Sequence, residues 1–464
     1  MTTLLAVVKI AILLAAGFYA TTRGIPWLWV RIARLLGFKA RLTPITQKRI
    51  ARFKRIKRGY WAFQAITTLF VLSLFLELLV NGRALVIHYE GRTAFPAVAQ
   101  WLDRVAFFTE ISSFQKKSDF GQAGESEVDY RKFARWSEDS AALRVEAETS
   151  AATAAEDRRA AETEAPAADA SDFHTRKHEK RLAAVVKKEA EAAQLAKTLA
   201  AFERGDAWIV MPLYRYGPSD LRLDLERNPP NTPSLDLGIP LGTEQSGRDV
   251  VPLLLYGFRL SLSFALLVTA VGQGVGIVVG GIQGYWGGWV DIASQRFVEI
   301  WGSIPFLFVM MILASMITPT FVVMACMLIV LRSWIGITYY VRGEFYREKS
   351  KDYVQAAIGT GVSDWKIITK HILPNSIVPI VTFTPFAIVG FIGALVSLDY
   401  LGFGLPPGTP SWGALLRQGL ENVKDHPHLT IVPTLALAST LYAVVMVGEA
   451  VREAFDPKVF SRLR

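Results

Sequence analysis

Along the chain, apolar residues gather into runs of about 20, the length at which a helix crosses the hydrocarbon core of a bilayer. Such runs lie near residues 60–80, 260–282, 303–318, 320–341, 376–398 and 429–448. They predict an all-α, polytopic membrane protein with six core transmembrane helices. Residues 4–20, apolar except for Lys9, are a candidate extra N-terminal helix. An interfacial segment is a rival reading, as is a signal peptide, although its positive residues should precede the apolar core. Gly272, Gly274, Gly276, Gly280, Gly281 and Gly284 crowd the second run. Small residues let helices approach closely in lipid, so this helix is expected to pack against neighbours. Pro305 and Pro379 fall in or near spans, where neighbouring groups can satisfy the freed carbonyls.

The polar stretch 82–258 interrupts this pattern. Within it, residues 137–204 are rich in Ala, Glu, Lys and Arg, strong helix formers with opposite charges three or four apart. One or two solvated helices are predicted there, with a joint at Pro166, forming an insert that transport can dispense with. "NPPNTPSLDLGIP" then reads as an extended linker. The domains expected are thus 1–58, an apolar segment with a basic arm; 59–81, the first span; 82–258, the extracytoplasmic segment; and 259–464, the membrane core.

Charge orients these elements. The net charge is +10, yet residues 1–58 hold 13 Lys and Arg and no Asp or Glu, leaving the rest of the chain slightly acidic. Positive residues beside a span mark its cytoplasmic end, so the first helix runs outward from Arg52, Lys54, Arg55, Lys57 and Arg58. Alternation then places 342–375 and the C-terminus in the cytoplasm, with Arg452, Lys458, Arg462 and Arg464 in the tail. A basic arm beside a membrane span does not suggest nucleic acid, which would want aromatics among basic residues of a soluble fold. Cys326 is the only cysteine, so no intrachain disulfide forms. His174 and His178 have an i, i+4 spacing without obvious further metal ligands, and His426 and His428 flank Pro427 in a loop.

The stretch 342–375 reads "RGEFYREKSKDYVQAAIGTGVSDWKIITKHILPN". It predicts a short helix, a reversal at Gly361, and a second helix with Ser363 as N-cap, stopped by Pro374. Physics alone leaves two readings, an ordinary polar loop or a rigid knob for a cytoplasmic partner.

"QAAIGTGVSDWKIITKHILPN" resembles the signature loop of bacterial ABC-importer permeases, in which Glu-Ala-Ala is followed by a Gly and Ile-Leu-Pro. Gln355 stands where Glu is usual, while Ala356, Ala357, Gly361, Ile372, Leu373 and Pro374 match. "LGTEQSGRDVVPLLLYGFRLSLSF" and "LDYLGFGLPPGTPSWGALL" resemble the dipeptide and oligopeptide C-type subfamily. "KRGYWAFQAITTLFVLSLFLELLVNGRALVIHYEGRTAFP" and Asp399 resemble its Yej-type members, which import microcin C and oligopeptides. The resemblance covers about 50–100 and 206–464. It implies that Gln355, Ala356, Ala357, Gly361, Ser363, Ile372, Leu373 and Pro374 form an ATPase-coupling loop. It also implies a second permease subunit, two ATPase domains that bind ATP and Mg, an extracytoplasmic substrate-binding protein, and no cofactor on this chain.

No GxxxxGK[ST], HExxH or GxSxG motif occurs, so neither a phosphate loop nor an enzyme site is predicted. Ionisable groups in spans are costly and usually face a cavity or a partner, which singles out Glu77, Asp291, Glu299 and Asp399. Glu77 is expected at an interface and Glu299 in an ion pair with Arg296. Asp399, at an extracytoplasmic helix end, is a candidate for the substrate path, meeting the ammonium of a peptide or serving as a helix-end bond. A proton-coupled transporter would show acidic residues in paired repeats, which are not evident. A membrane-anchored interaction protein acting through 137–204 would not need the 342–375 loop.

Overall fold

The computed structural model describes residues 2–24, 44–106, 128–163 and 172–455. It divides into two compact units, Met1–Leu74 with Leu221–Arg464, and Phe75–Asp220. Residues 221–258, grouped with the extracytoplasmic segment on sequence, therefore fold with the membrane core.

The N-terminal apolar segment forms helix α1 (Thr2–Tyr19). Part of the basic arm forms α2 (Pro44–Arg55); residues 25–43 lie outside the described residues. The helix expected as the first span is shorter than predicted and is not among the described helices long and apolar enough to cross a membrane. α3 (Lys57–Ser73) has 17 residues, roughly 26 Å at 1.5 Å per residue, and the chain turns at Leu74. Gly17 of α1 abuts Thr68 and Leu72 of α3, and Thr21 shares a 3.1 Å hydrogen bond with Thr68.

The second unit begins with α4 (Leu76–Leu79). Here Tyr214 donates its backbone N–H to Leu79 (3.0 Å) and accepts from Asn81 (3.1 Å), so the backbone leaves the helical path. Glu77 is buried within the fold, 1% exposed. A small antiparallel sheet follows, in the order β2-β1-β3, with β1 (Val86–Tyr89), β2 (Arg92–Ala94) and β3 (Ala207–Val210). Sequence reading did not predict it, since its strands span only three or four residues. The local signal is the turn between β1 and β2, where Glu90 and Gly91 take φ of 45° and 76°, as a two-residue hairpin loop requires.

After α5 (Pro96–Ala106) and α6 (Tyr130–Glu138) come two long helices, α7 (Ser140–Thr163) and α8 (Asp172–Arg204). Residues 164–171, which include Pro166, lie outside the described residues. α7 buries Ala147, Ala154 and Ala161, seven apart, and α8 buries Val185 and Ala192. That period is the seam of a coiled coil, so the insert is a packed hairpin. Exposed pairs such as Arg158–Glu189 (2.8 Å) are screened by water and add little to this. The insert's sequence boundaries at 137 and 204 fall within one packed core. Leu143, Ala147, Leu195 and Ala201 share one core with Ile87, Phe133, Trp136 and Ala207.

The remaining helices return to the first unit. α9 (Val250–Trp286) runs 37 residues, capped by Asp249 accepting from the Val251 N–H (2.9 Å). α10 (Gly288–Gly302) and α11 (Phe306–Met316) form a pair bent by 67°, broken where Pro305 sits at the N-cap of α11. α12 (Phe321–Leu328) continues through a π-helical turn, Ile329–Ser333, towards α13 (Ile335–Lys349), with a 43° bend. Two short helices, α14 (Asp352–Gly359) and α15 (Asp364–Lys366), lead through another π-helical turn, Ile367–Ile372, into α16 (Leu373–Leu401). α17 (Trp412–Glu421) and α18 (His428–Phe455) complete the described chain.

Among the described residues, α9, Ile380–Leu401 and α18 are each long and apolar enough to cross a membrane, and the two bent pairs each qualify as one broken span. The glycines of α9 meet α13. A Cβ on Gly280 would lie 2.5 Å from the Thr338 carbonyl oxygen, and one on Gly284 2.5 Å from the Phe345 Cβ. Gly272 and Gly276 abut Ser333 and Ile337 in the same row.

Candidate functional site

Between α13 and α16 the chain makes a compact knob. α14 ends in a left-handed residue, Gly361, with φ of 76°. The Gly361 N–H bonds the Ile358 carbonyl (3.0 Å) and the Val362 N–H bonds that of Ala357 (3.1 Å). These two bonds close a Schellman motif, whose αL position favours glycine. Ser363 occupies the N-cap position of α15, but its side chain makes no capping bond; its carbonyl accepts from Lys366 (2.9 Å) and Ile367 (3.0 Å). Pro374 does not stop the second helix. It stands at the start of α16, where its missing N–H costs little, and the helical path runs on into the span.

The underside of the knob is apolar. Val354, Ile367 and Ile372 are buried with Tyr285, Val341 and Phe345, and Ala357, Val362 and Leu373 pack against them. Polar ties hold its flanks. Tyr285 donates to Asp364 (2.6 Å), Lys349 donates to the Tyr285 carbonyl (2.5 Å), and the Gln355 amide donates to the Lys349 carbonyl (2.7 Å). Tyr353 donates to Glu348 (2.8 Å) and accepts from Asn375 (3.0 Å). Burial, then the Glu348 bond, raises the Tyr353 phenol above its ordinary value. Below the knob, Arg342 grips Asp291 through two bonds of 2.5 and 2.7 Å.

The eight sequence-predicted loop residues therefore divide. Gln355, Ala356, Gly361, Ser363 and Pro374 are exposed, Ala357 and Leu373 partly so, and Ile372 is buried. Ile372 can position the knob but cannot touch a partner. Trp365, 75% exposed, and Ile358, 39% exposed, are apolar side chains that the knob leaves uncovered and that the sequence motif does not include. A Trp between charged residues in a short helix was the available signal.

Asp399 lies inside the fold at 6% exposure. One carboxylate oxygen accepts from the Leu405 N–H (2.7 Å) and the other from the Ser411 hydroxyl. Both ties draw the 402–411 loop onto the end of α16. Glu299 pairs with Arg296 at 2.5 Å, as the spacing suggested. A second feature has no acidic residue to mark it in the sequence. A cavity of about 400 Å³ opens beside Gln273, Arg332, Tyr340 and Phe383.

Comparison with known proteins narrows the reading. Residues 276–461 match the family model for the binding-protein-dependent transport system inner membrane component. The chain is 33% identical over 418 residues to the inner membrane ABC transporter permease protein YejE of Escherichia coli, covering 90% of this chain and 98% of that one. It is 32% identical over 438 residues to the peptidoglycan transport system permease protein YejE of Agrobacterium fabrum, covering 90% and 94%. It is also 34% identical over 217 residues to the oligopeptide transport system permease protein OppC of Haemophilus influenzae, covering 47% and 70%.

Proposed function

The chain belongs to the family of binding-protein-dependent inner membrane components, the permeases of ABC transporters, and we propose that it lines a path for peptides and receives force from ATPases through the 352–372 knob. It is a multi-pass inner membrane protein and a transport component rather than an enzyme. The names of its relatives, which carry oligopeptides or serve peptidoglycan transport, support the peptide reading. In this proposal a second permease subunit completes the path, two ATPase domains bind ATP and Mg, and an extracytoplasmic binding protein delivers substrate. Asp399 acts by shaping the extracytoplasmic loop, its two oxygens already engaged.

The observation that carries the proposal is the knob itself. Its base is fixed by a buried apolar cluster, while Trp365 and Ile358 stand exposed on it. A rigid projection with exposed apolar side chains can transmit the movement of a docked partner, whereas a slack loop would absorb it.

This function requires the knob to face the cytoplasm, with the C-terminus on the same side. In a Cys326→Ser background, Leu235→Cys should react with an impermeant thiol reagent in intact spheroplasts, and Ser350→Cys only after lysis. Both residues are exposed. Labelling of Ser350→Cys from outside would overturn the proposal.

A further inference from the structure

We propose that Arg332 receives the C-terminal carboxylate of a peptide in transit, at a waist of the path lined by aromatic side chains. The inference rests on the peptide-import reading above and adds a residue and a recognised group to it.

Arg332 stands in the π-helical turn Ile329–Ser333, near the middle of the bent span that runs from Phe321 to Lys349. π turns are often found at functional sites, and irregular backbone at membrane depth is tolerated where it lines a cavity. Here it does so, for Arg332 borders the 400 Å³ cavity. A guanidinium within a span is costly unless it is paired or wet. Among the described residues Arg332 makes no ion pair with an acid. Its contact is with a ring, 5.7 Å from the Phe306 centroid, and it remains exposed. By contrast, Arg342 in the same bent pair is held by Asp291, and Arg296 by Glu299. Among the described residues Arg332 is thus a cation without a carboxylate, whereas Arg296 and Arg342 each have one.

The rest of the cavity suits a peptide. Tyr340 and Phe383 stack with centroids 4.1 Å apart, and Tyr339 and Phe386 extend the aromatic lining. Gln273 adds a carboxamide, held by the Thr384 hydroxyl at 3.1 Å. Aromatic faces accept varied side chains without selecting one. A planar guanidinium, in turn, matches a carboxylate through two parallel N–H···O bonds. Every free peptide carries that carboxylate whatever its sequence, so the arrangement recognises the class and tolerates the members.

The test uses the whole transporter in lipid vesicles, with one neutral tripeptide supplied as the free acid and as the C-terminal amide. Wild type, Arg332→Gln and Arg332→Lys are compared, with assembled protein quantified for each. A charge-assisted bond of this kind corresponds to roughly tenfold or more in rate or affinity. Uptake of the free acid should fall about tenfold in Arg332→Gln, Arg332→Lys should restore part of it, and uptake of the amide should be low and unchanged throughout. An equal fall for acid and amide would overturn the inference and assign Arg332 to a structural contact with a partner subunit. Undiminished acid uptake in Arg332→Gln would overturn it too. If wild type takes up neither form, the peptide-import reading itself fails, and this inference with it.

Discussion

Gly280→Val is expected to leave almost no assembled protein. The residue sits in the row Gly272, Gly276, Gly280 and Gly284 of α9, which packs directly on α13. A Cβ at Gly280 would meet the Thr338 carbonyl oxygen at 2.5 Å, the Val341 Cβ at 3.0 Å and the Arg342 N at 3.1 Å. Two of these are backbone atoms, so no rotamer change relieves the collision and the helices must separate. Overpacking of this kind costs about 3 kcal/mol or more when the neighbour cannot move. Separation would also strain the Arg342–Asp291 bonds one turn further on. Gly274→Val supplies the control, since nothing lies within 4 Å of a Cβ there. The measurement is the monodisperse fraction and melting temperature of each variant in mild detergent. Comparable behaviour of the two variants would show that close approach of α9 and α13 is not what holds the core.

Gly361→Val should give the opposite phenotype, a protein present in normal amounts but poorly coupled. Nothing lies within 4 Å of a Cβ at this position, so the penalty is conformational. A side chain in the left-handed region costs roughly 1–2 kcal/mol, which a large membrane core survives. The Schellman bonds from Gly361 and Val362 would yield first, re-aiming Trp365 and Ile358 relative to the buried base. Transport per ATPase bound should drop about tenfold, the factor that corresponds to roughly 1.4 kcal/mol. Gly361→Asn should recover much of it, because Asn tolerates the αL conformation. Uptake and hydrolysis would be measured together in reconstituted vesicles. Full transport by Gly361→Val would mean that the reversal does not set the knob's geometry.

The differing fates of these two glycines show where sequence was sufficient. Gly361 was legible because a local turn depends on local residues. The spacing of four along α9 announced a close helix contact, yet nothing in it named α13 as the partner. Apolar runs located the spans, but hydropathy cannot see a break such as the one after Leu79, where Leu79 and Asn81 bond the backbone of Tyr214, more than 130 residues away in sequence. The start of α9 was placed about ten residues late, although Asp249 before "VVPLLL" carried an N-cap signal. Charge in α7 and α8 suggested solvated helices and hid the alanine seam. Pro374 was read as a stop when its position at a helix start makes it compatible with continuation. Asp399 looked available because its partners, Leu405 and Ser411, lie in the loop that it folds back. Arg332 is not legible in sequence, because only the fold shows that Arg342 meets Asp291 while Arg332 borders a cavity.

The central claim is that this chain moves peptides only when ATPases act on it from outside its own sequence. The most direct measurement is uptake of a labelled oligopeptide into vesicles that contain the purified chain, its second permease, the ATPase subunits and the binding protein. Uptake should require ATP and Mg, stop when the ATPase subunits are omitted, and be indifferent to an imposed proton gradient. Uptake driven by a proton gradient, with the ATPase subunits absent, would contradict the account.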